Sequence, residues 1–147
     1  MGPWQAYVDD WCKKSEKRML AVFKRAVELL ADELQYGRQN GGKVPWVDGN
    51  MARSLEAELN GLVMTSAADP PPAGDPGAQI ALLQLGDVIH LGYQAIYARR
   101  VNYGFVGEDS LGRNYNQEGA HFVEYAASVW PVMVQLAAEE IRQIASM

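Results

Sequence analysis

The sequence predicts an α+β domain, and three observations predict it. A helical stripe runs through residues 1–36, a second one closes the chain over residues 120–147, and short apolar runs broken by Gly and Pro lie between them. The expected architecture is a long N-terminal helix and a long, kinked C-terminal helix packed on a small antiparallel sheet, with a short helix between. At 147 residues and 48% hydrophobic content the chain is a single domain able to bury its own core.

The first helix is the clearest element. Val8, Trp11, Ser15, Met19, Val22, Ala26, Leu30 and Leu34 recur at spacings of three and four, and Phe23 and Val27 widen the stripe. Pro3 suits a first turn and Gly37 the residue just past the end, which predicts a helix from Pro3 to Tyr36. Such a helix spans about 50 Å, against a diameter of roughly 40 Å for a compact chain of this size. One end must bend or overhang. The N-terminal turns carry Trp4, Tyr7, Val8 and Trp11, an aromatic load that calls for a partner.

Residues 38–44 read as a flexible loop, and Asp48 is placed to cap a short helical turn that begins at Gly49. Leu55, Ala57 and Leu59 alternate with Glu56 and Glu58, which predicts a half-buried strand, with Leu62 and Met64 continuing it past a bend at Gly61. Residues 66–78 hold four of the seven prolines and read as an exposed connection. Two further strands, Ile80–Leu85 and Val88–Leu91, are expected around a Gly86-Asp87 turn, antiparallel to the first.

Tyr97–Tyr103 reads as a short helix stopped by Gly104, and residues 105–119 as a long polar loop. The last helix is expected from Ala120 to Ser146, with Phe122, Ala126, Val129, Met133 and Leu136 on one face and a kink at Pro131.

The bulk numbers exclude several function classes. Cys12 is the one cysteine, so neither an internal disulfide nor a cysteine-rich zinc site can form, and a reducing compartment fits. Net charge is −5, with 18 acidic and 13 basic residues, opposite in sign to a phosphate-gripping protein. The run Lys13-Lys14-Ser15-Glu16-Lys17-Arg18 reads as a solvated helix face, with a DNA-binding module as the rival reading. No apolar run approaches the roughly 18 residues of a membrane span, and the start lacks the regions of a signal peptide, so a cytosolic protein is expected.

Candidate chemistry is sparse. His121 and Glu124 have the spacing of two ligands on one helical face, yet nothing ties His90 to them, and two ligands fall short of a metal site. Cys12 lies several turns into a helix, away from any group that would lower its pKa. The acid pairs Asp9-Asp10, Glu56/Glu58 and Glu139-Glu140 read as ordinary surface. No phosphate-cradling loop or nucleophile elbow occurs, so no catalytic, cofactor or metal residue is assigned. The rival from another class is a small enzyme or ligand-binding domain with a pocket under loop 105–119.

Three blocks together resemble the small neck proteins of long-tailed bacteriophages, the tail-completion or head–tail joining type. That family commonly carries Pro-Val-Asp-Thr-Gly-x-Leu-x-x-Ser. Here Pro45, Gly49 and Ser54 keep the spacing, Met51 replaces the leucine, and Asp48 stands where threonine is usual. Trp46 and Val47 depart from the pattern as well. A second family block, Tyr-Ala-x-x-Val-Glu-Tyr-Gly, is matched by Tyr97 to Gly104 except for Asn102. Phe122-Val123, Ala126 and Trp130-Pro131 resemble the family's closing helix.

The resemblance implies a non-enzymatic virion protein at the head–tail junction, forming a ring, expected as a hexamer, through which DNA passes. Its implied partners are further copies of itself, adjacent neck or connector proteins, and the tail tube or terminator; a tail terminator capping the tube is the alternative within the family. Six copies at −5 carry about −30, and a negative lumen would let DNA slide. Trp4, Tyr7, Trp11, Tyr103 and Phe105 are then candidate subunit contacts, while segments 66–78 and 105–119 would reach adjacent rings. Trp46 is expected in the core.

Overall fold

A single 31-residue helix, α1 (Pro3–Glu33), opens the computed structural model, which describes residues 2–145. Pro3 occupies its first turn as expected, and the helix ends at Glu33, with Leu34 closing it. Gly37 does not cap it. That residue is extended, at φ −76°, and its missing side chain makes room for the Trp46 ring. The loop after it is tied down rather than flexible: the Arg38 N–H donates to the Val44 carbonyl, the Val44 N–H donates to the Tyr36 carbonyl, and a turn at 38–40 closes through Gly41 at φ +92°.

The short helix α2 (Asn50–Arg53) leads into β1 (Leu55–Leu59). β1 stops at Asn60, which takes a left-handed φ of 58°, so the bend falls one residue before Gly61. Leu62 and Met64 do not extend the strand; both lie exposed. The proline-rich segment is only partly an exposed connection. Pro71 and Pro76 are buried, and Gly74 lies so close to the Leu55 carbonyl that a Cβ there would sit 1.9 Å from its oxygen.

The expected strand at Ile80–Leu85 is a helix instead: α3 (Pro76–Ala81). Pro76 starts it, and Ile80 and Leu83, three apart, both point into the core. A short apolar run reads equally as strand or buried helix, and the proline decides it. Gly86, at φ +94°, makes the turn that feeds β2 (Ile89–Tyr93). β2 pairs antiparallel with β1, Leu55 opposite Tyr93 and Leu59 opposite Ile89.

The helix α4 (Ala98–Tyr103) ends at Gly104 as expected. The expected polar loop 105–119 is a β-hairpin, β3 (Gly104–Glu108) with β4 (Asn114–Glu118), so the described residues form two two-stranded sheets rather than one. The Asp109 carboxylate builds its turn by accepting the N–H groups of Leu111 and Arg113, each at 2.9 Å. The closing helical region divides into α5 (Phe122–Ser128) and α6 (Trp130–Ala145); the kink is a break at Val129, just ahead of Pro131. Ser146, the expected end, lies outside the described residues.

Two apolar clusters form the core. The larger joins Val27, Ala31 and Leu34 of α1 to Leu55, Ile80, Leu83 and Ala126. The smaller gathers Val44, Met51, Ala52, Ala95, Ala98 and Phe122. Tyr93 belongs to both: its ring meets Phe122 edge-on at 5.5 Å, and its hydroxyl donates to the Leu34 carbonyl at 2.6 Å. Burial, then the nearby Glu33 carboxylate, raises the Tyr93 pKa far above an ordinary phenol's, so the hydroxyl stays a donor.

Candidate functional site

The smaller cluster is built from the three sequence blocks singled out above. The first block supplies its turn. Gly49 takes φ +81°, and a Cβ there would come within 2.4 Å of the Trp46 ring. Asp48 is not the cap that was expected: the helix begins at Asn50 with Gly49 in the cap position, and Asp48, one residue farther out, accepts the Asn50 N–H through Oδ1 at 3.0 Å. Arg53 returns over the Trp46 ring at 5.7 Å and donates to the Asp48 carbonyl, locking the turn. Trp46 packs half-buried against the cluster, and Pro45 joins it to Val44.

Ser54 ends this block and ties it to Ala95, two residues ahead of the next. Its side chain is fully buried; Oγ donates to the Met51 carbonyl at 2.6 Å and accepts the Ala95 N–H at 3.2 Å. A serine at the helix-to-strand junction thereby satisfies a buried backbone donor just ahead of α4. At the start of α4, Tyr97 stays partly exposed. Its pKa is raised, first by partial burial and then by the carboxylates of Asp48 and Asp69.

The second and third blocks meet at Asn102, which is buried although polar. Its Oδ1 accepts the Val123 N–H at 3.0 Å, its Nδ2 donates to Glu124 at 3.0 Å, and its carbonyl accepts the His121 N–H at 2.9 Å. Asn102 thus caps α5 from another helix. The sequence reading treated it only as a departure from a glutamate and missed this role; an uncharged amide supplies both the donor and the acceptor that the site uses. Gly104 follows at φ +88°, where a Cβ would lie 2.6 Å from the Gln117 carbonyl. Glycine is required there on both counts. Phe122, fully buried, plugs the cluster from the third block.

The candidate contact residues lie apart from this hub. Trp4, Tyr7 and Trp11 are 78%, 76% and 64% exposed on the outer half of α1. Tyr103 is exposed at the root of the hairpin. Phe105 is half-buried, with the Arg100 guanidinium 4.1 Å above its ring and Tyr115 beside it at 6.1 Å. Lys13, Lys14, Lys17 and Arg18 are solvent-exposed on the outer α1, where Lys14 pairs with Asp10 at 3.1 Å.

The groups with chemical potential stay scattered. His121 and Glu124 approach to 3.7 Å, while His90 lies on β2. The Glu124 pKa is lowered, first by a backbone hydrogen bond at its own position, then by Asn102 and by the His121 charge. Among the described residues no group of three or more His, Cys, Asp or Glu side chains is placed to hold a metal ion. A groove of about 470 Å³ opens between α1, β2 and α5. It is lined by apolar side chains such as Phe23, Val27, Ile89 and Trp130, with Asp87 at its edge. The depression beside the hairpin root, about 430 Å³, is open and is lined by Tyr103, Phe105, Glu118 and His121. Neither brings a nucleophile and a base together. Among the described residues no helix is long and apolar enough to cross a membrane.

Comparison with protein-family models, with curated proteins and with solved structures finds no match for the chain.

Proposed function

We propose that this chain is a non-enzymatic structural protein of a tailed bacteriophage, which joins copies of itself into a ring at the head–tail junction. The observation that carries the reading is the convergence of the three blocks. Pro45–Ser54, Tyr97–Gly104 and the start of α5 are far apart in sequence, yet Met51, Ala52, Ala98 and Phe122 bring all three into one apolar cluster, and Asn102 of the second binds the start of α5. Residues that resemble a family's pattern by chance have no reason to contact one another. A shared structural hub gives them one.

Two surfaces are then free to make contacts. The outer half of α1 presents aromatic side chains, and the hairpin β3–β4 stands out with all of β4 exposed. In the ring these would meet neighbouring copies and the adjoining neck or tail components. The acidic balance of the chain suits a lumen through which DNA slides without adhering.

The test is a cryo-electron reconstruction of particles made in cells that express the surrounding genes, with this protein labelled. Label at the head–tail junction in ring stoichiometry is the expected result. Label on the end of tail tubes that carry no head would reassign it as a tail terminator. Protein found free, with none on particles, overturns the reading.

A further inference from the structure

We infer that the free edge of β2 takes up an extended strand from a second copy of this chain, residues 61–65, whose Leu62 and Met64 enter the groove beside that edge. This names a contact within the proposed self-assembly, yet it rests on the β1–β2 sheet and its surroundings alone.

The first argument is where the backbone groups of β2 go. In an antiparallel pair alternate residues exchange hydrogen bonds, and those between them direct theirs outward. Asn60 bonds to Val88 at one end of the β1–β2 pair and Gln94 to Ser54 at the other, so Glu58 with His90 and Glu56 with Gly92 are the exchanging pairs. Ile89 and Leu91 therefore direct N–H and C=O away from β1, and among the described residues no group meets them. The corresponding edge of β1 is managed. Gly74 lies against the Leu55 carbonyl, and the Glu56 carboxylate accepts the Ala57 N–H at 2.9 Å. β2 has no such cover, and its Ile-His-Leu-Gly-Tyr carries neither proline nor lysine to blunt the edge.

The second argument is the groove of about 470 Å³. Val88, Ile89 and Leu91 line it on one side and Val123 and Ala127 of α5 on another, over a floor from α1, with no residue of β1. It therefore lies on the β2 side of the sheet. A hydrocarbon or a helix would fill it and leave the β2 backbone groups unmatched. A strand meets both needs, with main-chain bonds along the edge and every second side chain in the groove.

The third argument names the strand. Asn60 is fastened to Val88 and Ser66 to Gln94, and equal numbers of residues separate the two members of each strand, so the stretch from Asn60 to Ser66 is as extended as β2 itself. It crosses the outer face of the sheet, where Val63 rests on Gly92; a Cβ on that glycine would lie 3.2 Å from Val63. Residues 61–65 make no backbone hydrogen bond among the described residues. Leu62 and Met64, on either side of Val63, are 72% and 80% exposed. The segment is thus held to its own copy by one side chain and offers two others at strand spacing, with an unpaired backbone between them. β4 is no substitute, because Asn114, Asn116, Gln117 and Glu118 do not suit an apolar groove. Each copy gives a strand at one place and receives one at another, the head-to-tail kind of contact that closes rings.

Sedimentation equilibrium of the full chain from about 1 to 300 μM should show mass rising with concentration. Leu62→Asp/Met64→Asp removes the anchors of the strand and should weaken association at least about a hundredfold. Ala127→Trp fills the groove from an exposed position on α5 and should do the same. Neither variant touches the core, so circular dichroism stays that of wild type. The two variants mixed should associate again and stop at two copies, since one keeps only a groove and the other only a strand. Amide exchange reads the backbone pairing. On association the Ile89 and Leu91 amides should slow, while those of His90 and Gly92, already bonded to β1, stay as they were.

A wild type that is monomeric throughout, a Leu62→Asp/Met64→Asp variant that associates normally, or a mixture that stays monomeric would each overturn the inference. Association that leaves the Ile89 and Leu91 amides in fast exchange would overturn it too, and would direct attention to the aromatic outer half of α1. The labelled-particle experiment is decided separately, since a ring at the junction could form through other faces, and strand addition could occur in a protein never found on a particle.

Discussion

The two halves of α1 share one helix and one periodicity but have opposite surroundings. From Leu20 to Leu34 the apolar positions are covered by α3, the β1–β2 sheet and α6, and Ala26, Val27 and Ala31 are buried. From Trp4 to Met19, by contrast, Trp4, Tyr7, Trp11 and Met19 face water, with Val8 and Ser15 partly exposed between them. The inner half uses alanine and valine where neighbouring elements press closely. The outer half uses tryptophan and tyrosine, which suit a surface that is first solvated and then covered.

The sharpest way to break that comparison is to place the same charge in both halves. Val27→Asp buries an unpaired carboxylate and should cost more than about 4 kcal/mol, enough to unfold a marginal domain. Trp11→Asp, measured at a concentration low enough to keep the chain monomeric, should change stability by no more than about 0.5 kcal/mol. Urea unfolding followed by far-ultraviolet circular dichroism reads both. Equal effects would mean that the outer half is packed within the monomer.

The hub of the three blocks should behave like the inner half. Phe122→Ala empties the centre of the smaller cluster and removes the edge contact to Tyr93, an expected loss of about 3–5 kcal/mol. Ser54→Ala removes less volume but leaves the Ala95 N–H buried without its acceptor, for about 1–3 kcal/mol. A Ser54→Ala variant as stable as wild type would demote that serine to a space-filling residue. Its tie to Ala95 would fall with it.

Much of this was legible in the residues themselves. The stripe from Val8 to Leu34, the alternation Leu55–Leu59, the stop at Gly104 and the break near Pro131 each follow from local chemistry that tertiary structure left undisturbed. Ile80–Leu85 was not legible, because five apolar residues in six fit a strand as well as a buried turn of helix, and only Pro76 tips the balance. The hairpin at 104–118 was not legible either. β4 is polar but for Tyr115, and β3 sets Phe105 and Val106 on opposite faces between glycines, so neither shows the alternation that marks a half-buried strand. Their pairing is fixed instead by the Asp109 turn and by Gly104. At the hub, Ser54 and Phe122 could be named from the motif spacing. Asn102 could not, because its work is done on a helix start reached only through the fold.

The smallest expected effect concerns the tie between the two long helices. Arg25 reaches from α1 to Glu140 of α6, with its Nε 2.7 Å from the carboxylate, and also meets Glu28 at 3.2 Å. The hydrogen bond from Arg25 lowers the Glu140 pKa below its ordinary 4.5, and the Arg25 charge adds to it. A carboxyl group that is more acidic in the folded state stabilises that state fully above the unfolded value, near 4.5, and the contribution disappears as pH falls through the lower folded value. Wild type should therefore lose slightly more stability than Glu140→Gln when titrated downward from about pH 5, and the two should converge in acid. Both groups are largely solvated, so the difference should be small and should shrink in high salt. Thermal midpoints of the two proteins, followed across that range, decide it. A difference that persists in acid would show that Glu140 holds α6 against α1 through packing of its stem rather than through its charge.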